Sequence, residues 1–140
     1  RDSYSQLQTL FGPKIADETG KILKELTNST HDNVRISKDF DISVDEETGY
    51  FPHQFYSGGT IDQLFLAFRL AVGKTIVPYG ALPLYLDDPF VQYDDERLER
   101  SLNYLKKYNS IHNNQIILTA CHKRILPHVN NIRQINVINI

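Results

Sequence analysis

The densest chemistry in the sequence lies between Leu84 and Asp94, LYLDDPFVQYD, where an apolar run ends in two adjacent carboxylates, Asp87 and Asp88. Pro89 then stops a strand from continuing. Side chains alternate faces along a strand, so two acids at its end stand at the rim of a sheet, where open α/β folds bind ligands. Such a rim is an address for a metal or a phosphate. Two carboxylates about 5 Å apart at an effective dielectric of about 20 repel by roughly 3 kcal/mol, or about two pKa units. One acid would therefore tend to stay partly protonated, unless a bound cation stabilises both charges. The local pattern alone also fits a solvated acidic turn or a helix cap.

Two further stretches place polar groups where an element begins or ends. Tyr56-Ser57-Gly58-Gly59-Thr60 runs directly into an apolar segment from Ile61 to Val72. Ser57 and Thr60 are both suited to cap a helix, and the glycines let the backbone approach something closely. A helix N-terminus behind such a turn favours anions, because its amides point outward and its dipole is positive there. Taken by itself, the turn also reads as an ordinary capped loop. Further on, Ile116-Ile117-Leu118-Thr119 ends in Ala120-Cys121-His122, which puts a histidine at the end of a second short buried strand.

The elements that carry these groups follow from hydrophobic spacing. Residues 3–27 read as helix in two parts, because Gly12-Pro13 interrupts the pattern and Pro13 suits the first turn of a second helix. Ile15, Ile22, Leu23 and Leu26 form its buried stripe. Val34-Arg35-Ile36 and Phe40 to Val44 alternate around Ser37-Lys38-Asp39 as a hairpin, and a third strand is expected near Tyr50-Phe51. The segment from Ile61 to Val72 is apolar around nearly its whole circumference, so burial is expected, with Arg69 as the one full charge in its middle. Gly73 to Ala81 reads as a loop. Asp94 caps a helix that is acidic in its first turn (Asp95, Glu96), basic in its last (Lys106, Lys107), and buried along Leu98, Leu102 and Leu105. Pro127 breaks a short helix from Ile125 to Val129, and Ile135 to Ile140 reads as a final strand.

Composition bounds the rest. A chain of 140 residues suits one domain, and a domain of that size buries roughly 70% of its unfolded surface. A hydrophobic content of 41% and a charged content of 23% are those of a soluble globular domain. Net charge −2 argues against a module that binds the phosphate backbone of nucleic acid over a broad face. The single Cys121 excludes an internal disulfide and a multi-cysteine zinc site, and fits a reducing, cytoplasmic setting. No apolar run approaches the roughly 20 residues that span a bilayer, so no membrane is expected as a partner. The sequence opens on Arg1 and contains no Met, and it reads as a piece of something longer.

Three motifs occur here in one order: Tyr56-Ser57-Gly58-Gly59 before a buried helix, Leu84-Tyr85-Leu86-Asp87-Asp88-Pro89 at a strand end, and Leu118-Thr119-Ala120-Cys121-His122 after the next strand. The set resembles the C-terminal half of an ABC-type ATPase head, and more narrowly the SMC-like coiled-coil ATPases of DNA repair and chromosome maintenance, the SbcC, RecN and YhaN-like group. The resemblance implies an α/β fold: the C-terminal half of a P-loop NTPase head, a mostly parallel sheet flanked by helices, with a β-hairpin near the N-terminus. Residues 1–30 would be the helix by which a returning coiled-coil arm enters the head, and residues 31–140 the C-terminal lobe.

The resemblance also implies roles, residue by residue. Ser57, Gly58 and Gly59 would be the signature motif, which in this family contacts the γ-phosphate of ATP bound to the opposite subunit. Asp87 would be the Walker B aspartate that holds Mg²⁺. Asp88 would stand at the place of the general base that activates water, and His122 would be the switch histidine. Asp94 would belong to the D-loop, which crosses the dimer interface. The cofactors implied are ATP and Mg²⁺. The partners implied are an N-terminal Walker A lobe, a second copy of the head, and DNA with a nuclease subunit.

The sequence departs from the family in three places. Asp88 stands where Glu is usual and is one methylene shorter. Thr60 takes a position that often holds Gln or Glu after the signature glycines. No GxxxxGK[ST] occurs; Gly73-Lys74-Thr75 ends like one, but Phe68 stands where its first glycine would be. The chain would then carry half an active site and turn over little alone. Rival readings are a structural dimerisation lobe without turnover, a Mg²⁺-dependent receiver-like switch, and a two-metal nuclease using Asp87 and Asp88.

The remaining candidates have plainer readings. Cys121 suits a small buried residue, and Arg69 an ion pair inside the fold. Lys106, Lys107, Lys123 and Arg124 suit solvated charges, the last two also contacts to phosphate or DNA. His31, His53, His112 and His128 show no ligand spacing.

Overall fold

The computed structural model describes residues 2–28, 33–37, 41–46, 49–77, 82–129 and 135–138. Helix α1 spans Asp2–Thr27 without a break, and Pro13 lies inside it. A proline removes one helical hydrogen bond, but the apolar stripe begins at Phe11 and continues through Ile15, Ile22, Leu23 and Leu26, so the contacts on both sides of Pro13 draw the chain along one axis. The expected division into two helices is therefore not seen. Asn28, at φ +60, takes the left-handed conformation that ends the helix.

Strands β1 (Val34–Ile36), β2 (Ile42–Glu46) and β3 (Gly49–Pro52) form an antiparallel sheet in that order. Val34 pairs with Val44 and Ile36 with Ile42. Ser37 and Asp41 close the hairpin through Ser37 N–H to Asp41 O at 2.9 Å and Asp41 N–H to Ser37 Oγ at 3.0 Å. Phe40, assigned to β2 from its spacing, lies outside the described residues, as does His31.

Helix α2 spans Gly58–Ile76 and packs along α1, with Leu64, Ala67, Leu70 and Ala71 against the α1 stripe. It runs through Gly73, so the expected loop begins only after Val77, and residues 78–81 lie outside the described set. Burial all round α2 is not observed either. Phe65 is 41% exposed and Ile76 55%, and Arg69 stands on the open side without an ion pair among the described residues. The elements described here cover one side of the helix only.

A β–α–β unit follows: β4 (Leu84–Asp87), α3 (Asp95–His112) and β5 (Ile116–Thr119). The two strands are parallel, with Leu84 opposite Ile116 and Asp87 opposite Thr119. Leu98, Leu102 and Leu105 face the core as their spacing requires, and Leu86 is fully buried. Tyr85 and Ile117, paired across the strands, are 57% and 43% exposed. Helix α3 ends at Asn113, also left-handed at φ +51. A 3-10 turn at Lys123–Ile125 leads into the short helix α4 (Leu126–Val129). Residues 135–138 are irregular rather than a final strand, and 139–140 lie outside the described residues.

Candidate functional site

The parallel register of β4 and β5 fixes the rim. It sets Asp87 opposite Thr119, whose Oγ1 donates to Asp87 Oδ1 at 2.5 Å. The Asp88 N–H donates to Thr119 O at 3.0 Å, and Asp88 itself takes φ +42. Aspartate is among the few side chains that tolerate this left-handed backbone. The bend ends the ladder, and Asp88 then lines a shallow depression of about 10 Å³ with Ala120, His122 and Arg124, over Phe90, Leu98 and Ile125. Asp88 and His122, distant in sequence, are thus brought to one place.

Cys121 is exposed, against the expectation of a small buried residue, because it follows the strand end instead of lying within it. Its Sγ donates to Asp88 Oδ2 at 2.6 Å. That hydrogen bond, together with partial desolvation and the Asp88 charge, pushes the thiol pKa up.

The second constellation forms at the start of α2. Ser57 is the N-cap: its Oγ accepts from the Thr60 N–H at 3.4 Å and lies 2.9 Å from Thr60 Oγ1. An open groove of about 530 Å³ is lined by Ser57, Gly58 and Gly59 on one side and by Val91, Gln92, Tyr93, Asp94 and Arg97 on the other. What the glycines approach is the second of these walls. A Cβ on Gly59 would stand 2.9 Å from the Gln92 carbonyl oxygen, and one on Gly58 would stand 1.6 Å from Gln92 Oε1. Asp94 caps α3 through Oδ1, which accepts from Arg97 N–H at 2.7 Å, while its Oδ2 lies 3.3 Å from Arg97 Nε. Tyr93 is buried, and burial with the nearby Asp62 charge raises its phenol, which stays neutral.

The site residues expected from sequence therefore fall into two clusters. Asp87, Asp88 and His122 share the strand rim; Ser57, Gly58, Gly59 and Asp94 share the groove. The depression and the groove have no lining residue in common.

Three polar side chains hold these clusters: Arg97 and Gln63, which sequence reasoning left out, and Arg124, which it read as a solvated charge or a contact to phosphate or DNA. Arg97 Nη1 donates to Thr60 Oγ1 at 3.1 Å and to Gln63 Oε1 at 3.3 Å. Gln63 Nε2 donates to Leu26 O, at the end of α1, at 2.7 Å. Arg124 is exposed, yet its Nη2 donates to Phe90 O at 3.0 Å and to Tyr93 O, so it also braces the Phe90–Asp94 loop. Two of the three had a signal in the sequence. A cation in the first turn of a helix opposes the dipole, which marks Arg97 as needing a partner. Gln63 is an amide within an apolar helix, which demands hydrogen bonds if buried. Arg124 carried no such mark.

A divalent ion fits the rim. Mg²⁺ is held by one or two carboxylates and takes its other ligands from water and phosphate oxygens. Asp87 is exposed, and one of its oxygens is held by Thr119 while the other stays open to a hard cation. Among the described residues no three His, Cys, Asp or Glu side chains converge, so what these residues would offer such an ion is a carboxylate and not a cage.

No protein-family model matches the chain. Among solved structures, one of SMC ATPases, concerned with ATP-driven dimerization and DNA-stimulated activation, superposes with a TM-score of 0.69 over 91% of this chain and 78% of that one, at 16% identity. The fold is that of an SMC head domain. The SMC head domain from Thermotoga maritima gives a TM-score of 0.60 over 89% of this chain and 44% of that one, at 17% identity. A Pyrococcus furiosus Smc head with an extended coiled coil, bound to the C-terminal domain of ScpA, gives 0.63 over 85% of this chain and 31% of that one, at 18% identity. The curated protein YhaN of Bacillus subtilis, itself uncharacterized, is 32% identical over 115 residues, which are 81% of this chain and 12% of that protein. The chain thus spans about an eighth of the length of the curated relative it matches. The expected SMC-like resemblance and α/β fold class are both borne out, with β4–β5 as the parallel part and β1–β2 as the hairpin. No described helix is long and apolar enough to cross a membrane.

Proposed function

We propose that this chain is the C-terminal lobe of an SMC-like ATPase head, whose two copies hold two ATP molecules between them. The observation that carries the reading is the separation of the two clusters on one fold. A signature-type turn beside a D-loop and an acidic rim beside a histidine line separate hollows, and each offers only part of a nucleotide site. Two heads related by a twofold axis complete both sites at once.

In this reading the Ser57 hydroxyl and the amides of Gly58 and Gly59 meet the γ-phosphate of ATP carried by the partner, at the positive end of α2. Asp94 follows across the interface. Asp87 holds Mg²⁺, which neutralises phosphate charge when bound. Asp88 orients the attacking water and takes its proton, and His122 touches the γ-phosphate from the same rim. Phosphoryl transfer needs positioning and charge stabilisation more than covalent chemistry, so this set is sufficient.

The phosphate-binding loop and the lobe carrying it lie outside this chain. Parallel sheets are normally covered on both faces, and the exposed Tyr85–Ile117 pair is the surface such a lobe would cover. Helix α1 would be the end of a coiled-coil arm, moved as ATP closes the heads. A role in DNA repair or chromosome maintenance, in the cytoplasm and with DNA and a nuclease as partners, follows from the family alone.

Mixing two variants of the complete protein tests the sharing of sites. Ser57→Arg and Asp88→Asn should each abolish turnover. Mixed dimers retain one intact composite site, so an equimolar mixture should recover about a quarter of wild-type activity if sites act independently. No recovery on mixing, with mixed dimers present, would overturn the shared site.

A further inference from the structure

We infer that Gln63 is a positioning residue that ties the end of α1 to the signature-type turn and the Asp94 loop, so that turnover in closed heads depends on a buried amide that touches no nucleotide. The inference rests on the reading above. Gln63 is 1% exposed, on the α2 face that meets α1 and α3. Its Nε2 donates to Leu26 O at 2.7 Å, and its Oε1 accepts from Arg97 Nη1 at 3.3 Å. Leu26 lies in the last turn of α1, where backbone carbonyls lack intrahelical donors. Arg100 Nη1 supplies that carbonyl with a second donor at 3.2 Å.

From Arg97 the connection continues in two directions. The guanidinium reaches Thr60 Oγ1, which lies 2.9 Å from Ser57 Oγ, and it pairs with Asp94 at 3.3 Å. A buried amide that loses one partner keeps the cost of desolvating it, so both ends of Gln63 stay engaged. Arg97 also lies close against the turn, since a Cβ at Gly59 would stand 2.9 Å from its Nη1. A shift at the end of α1 must therefore be passed to the turn and the loop, or break a buried bond.

The kinetic signature follows from where these groups act. The turn and the loop engage ATP only across the dimer, so a displaced turn lowers kcat and leaves ATP binding by single heads alone. Misplacement by about 1 Å can cost on the order of a hundredfold in rate.

The test uses the complete protein as wild type, Gln63→Leu, Gln63→Glu and Thr60→Val. Gln63→Leu removes both bonds. Gln63→Glu keeps an acceptor for Arg97 and loses the donor to Leu26 O. Both should lower kcat roughly tenfold to a hundredfold, with single-head affinity for a fluorescent ATP analogue within about twofold of wild type. Thr60→Val, conservative in shape, should lower kcat with the same split. Turnover of Gln63→Leu within about twofold of wild type would overturn the proposal, and so would full activity in Gln63→Glu. A parallel fall of kcat and affinity would make Gln63 a packing residue only, which also overturns it. Amide hydrogen exchange gives an arm independent of turnover: Gln63→Leu should speed exchange at Thr60, Ile61 and Leu98 about tenfold and leave Val44 unchanged. Unchanged exchange overturns the tie. A wild type that hydrolyses no ATP counts against the ATPase reading, and exchange then decides the tie.

Discussion

Cys121 and Asp88 share a hydrogen bond at the strand rim, Sγ to Oδ2 at 2.6 Å, though they lie on loops that follow different strands. The bond holds the thiol in its protonated form, since losing the proton would set two negative charges side by side. The exposed Cys121 should therefore alkylate more slowly than a free thiol. With the folded pKa raised, the thiolate appears only at higher pH, and the pH–rate curve for iodoacetamide should lie to the alkaline side of a model peptide's. Asp88→Asn should move the curve back. An unshifted wild-type curve would show that the bond does not persist in solution.

Gly58 and Gly59 should tolerate alanine unequally. At Gly58 the obstacle is the tip of the Gln92 side chain, which can swing away, and alanine is the better helix former by up to about 1 kcal/mol. At Gly59 the obstacle includes the Gln92 backbone carbonyl, which cannot move without the loop, so Gly59→Ala should cost about 1–3 kcal/mol. Urea midpoints of the two variants give the comparison. Equal losses would mean that Gln92 is itself held in place.

Asp88→Asn in the complete protein should lower ATP turnover by at least about a hundredfold, the usual contribution of a positioned base. ATP-driven association of heads should survive, because Asn keeps the shape. Asp88→Glu should retain turnover. Unchanged hydrolysis in Asp88→Asn would remove Asp88 as the base.

Glu18 on α1 and Lys74 on α2 form an ion pair at 2.5 Å, joined by Lys21 at 3.0 Å. Burial raises the Glu18 carboxyl, but its bonds to Lys74 and Lys21 outweigh that and hold it below the ordinary 4.5. A lowered folded pKa gives stability that is full above the unfolded value and is lost as pH falls through the folded one. Lys74→Gln should thus cost up to about 1 kcal/mol near neutral pH, as partly exposed pairs do, and almost nothing once the pH has fallen well below the folded pKa of Glu18. Urea unfolding across that range measures it. A cost independent of pH would assign the effect to packing.

Much of the fold was legible because it is local. The period of two in Val34–Ile36 and the run Ile116–Thr119 located strands, and Asp94 before Asp95-Glu96 located a helix start. The readings that failed depend on neighbours. Pro13 looked like a boundary because local chemistry disfavours it, whereas packing of the stripe on α2 continues the helix through it. Phe65 and Arg69 looked buried because the segment is apolar, but which side is covered depends on what lies opposite. The same holds at the site. The acids and the glycines were visible as motifs, yet the bonds joining Arg97 to Thr60, Gln63 to Leu26 and Arg124 to Phe90 link residues 37, 37 and 34 positions apart. No local pattern announces a pairing at that distance.

The exposed Tyr85–Ile117 pair has an optical consequence. The chain contains eight tyrosines and no tryptophan, so a tryptophan placed at Tyr85 would be the sole indole in this piece. Its emission would lie to the red while β4 faces water and move to the blue when another surface closes over the strand.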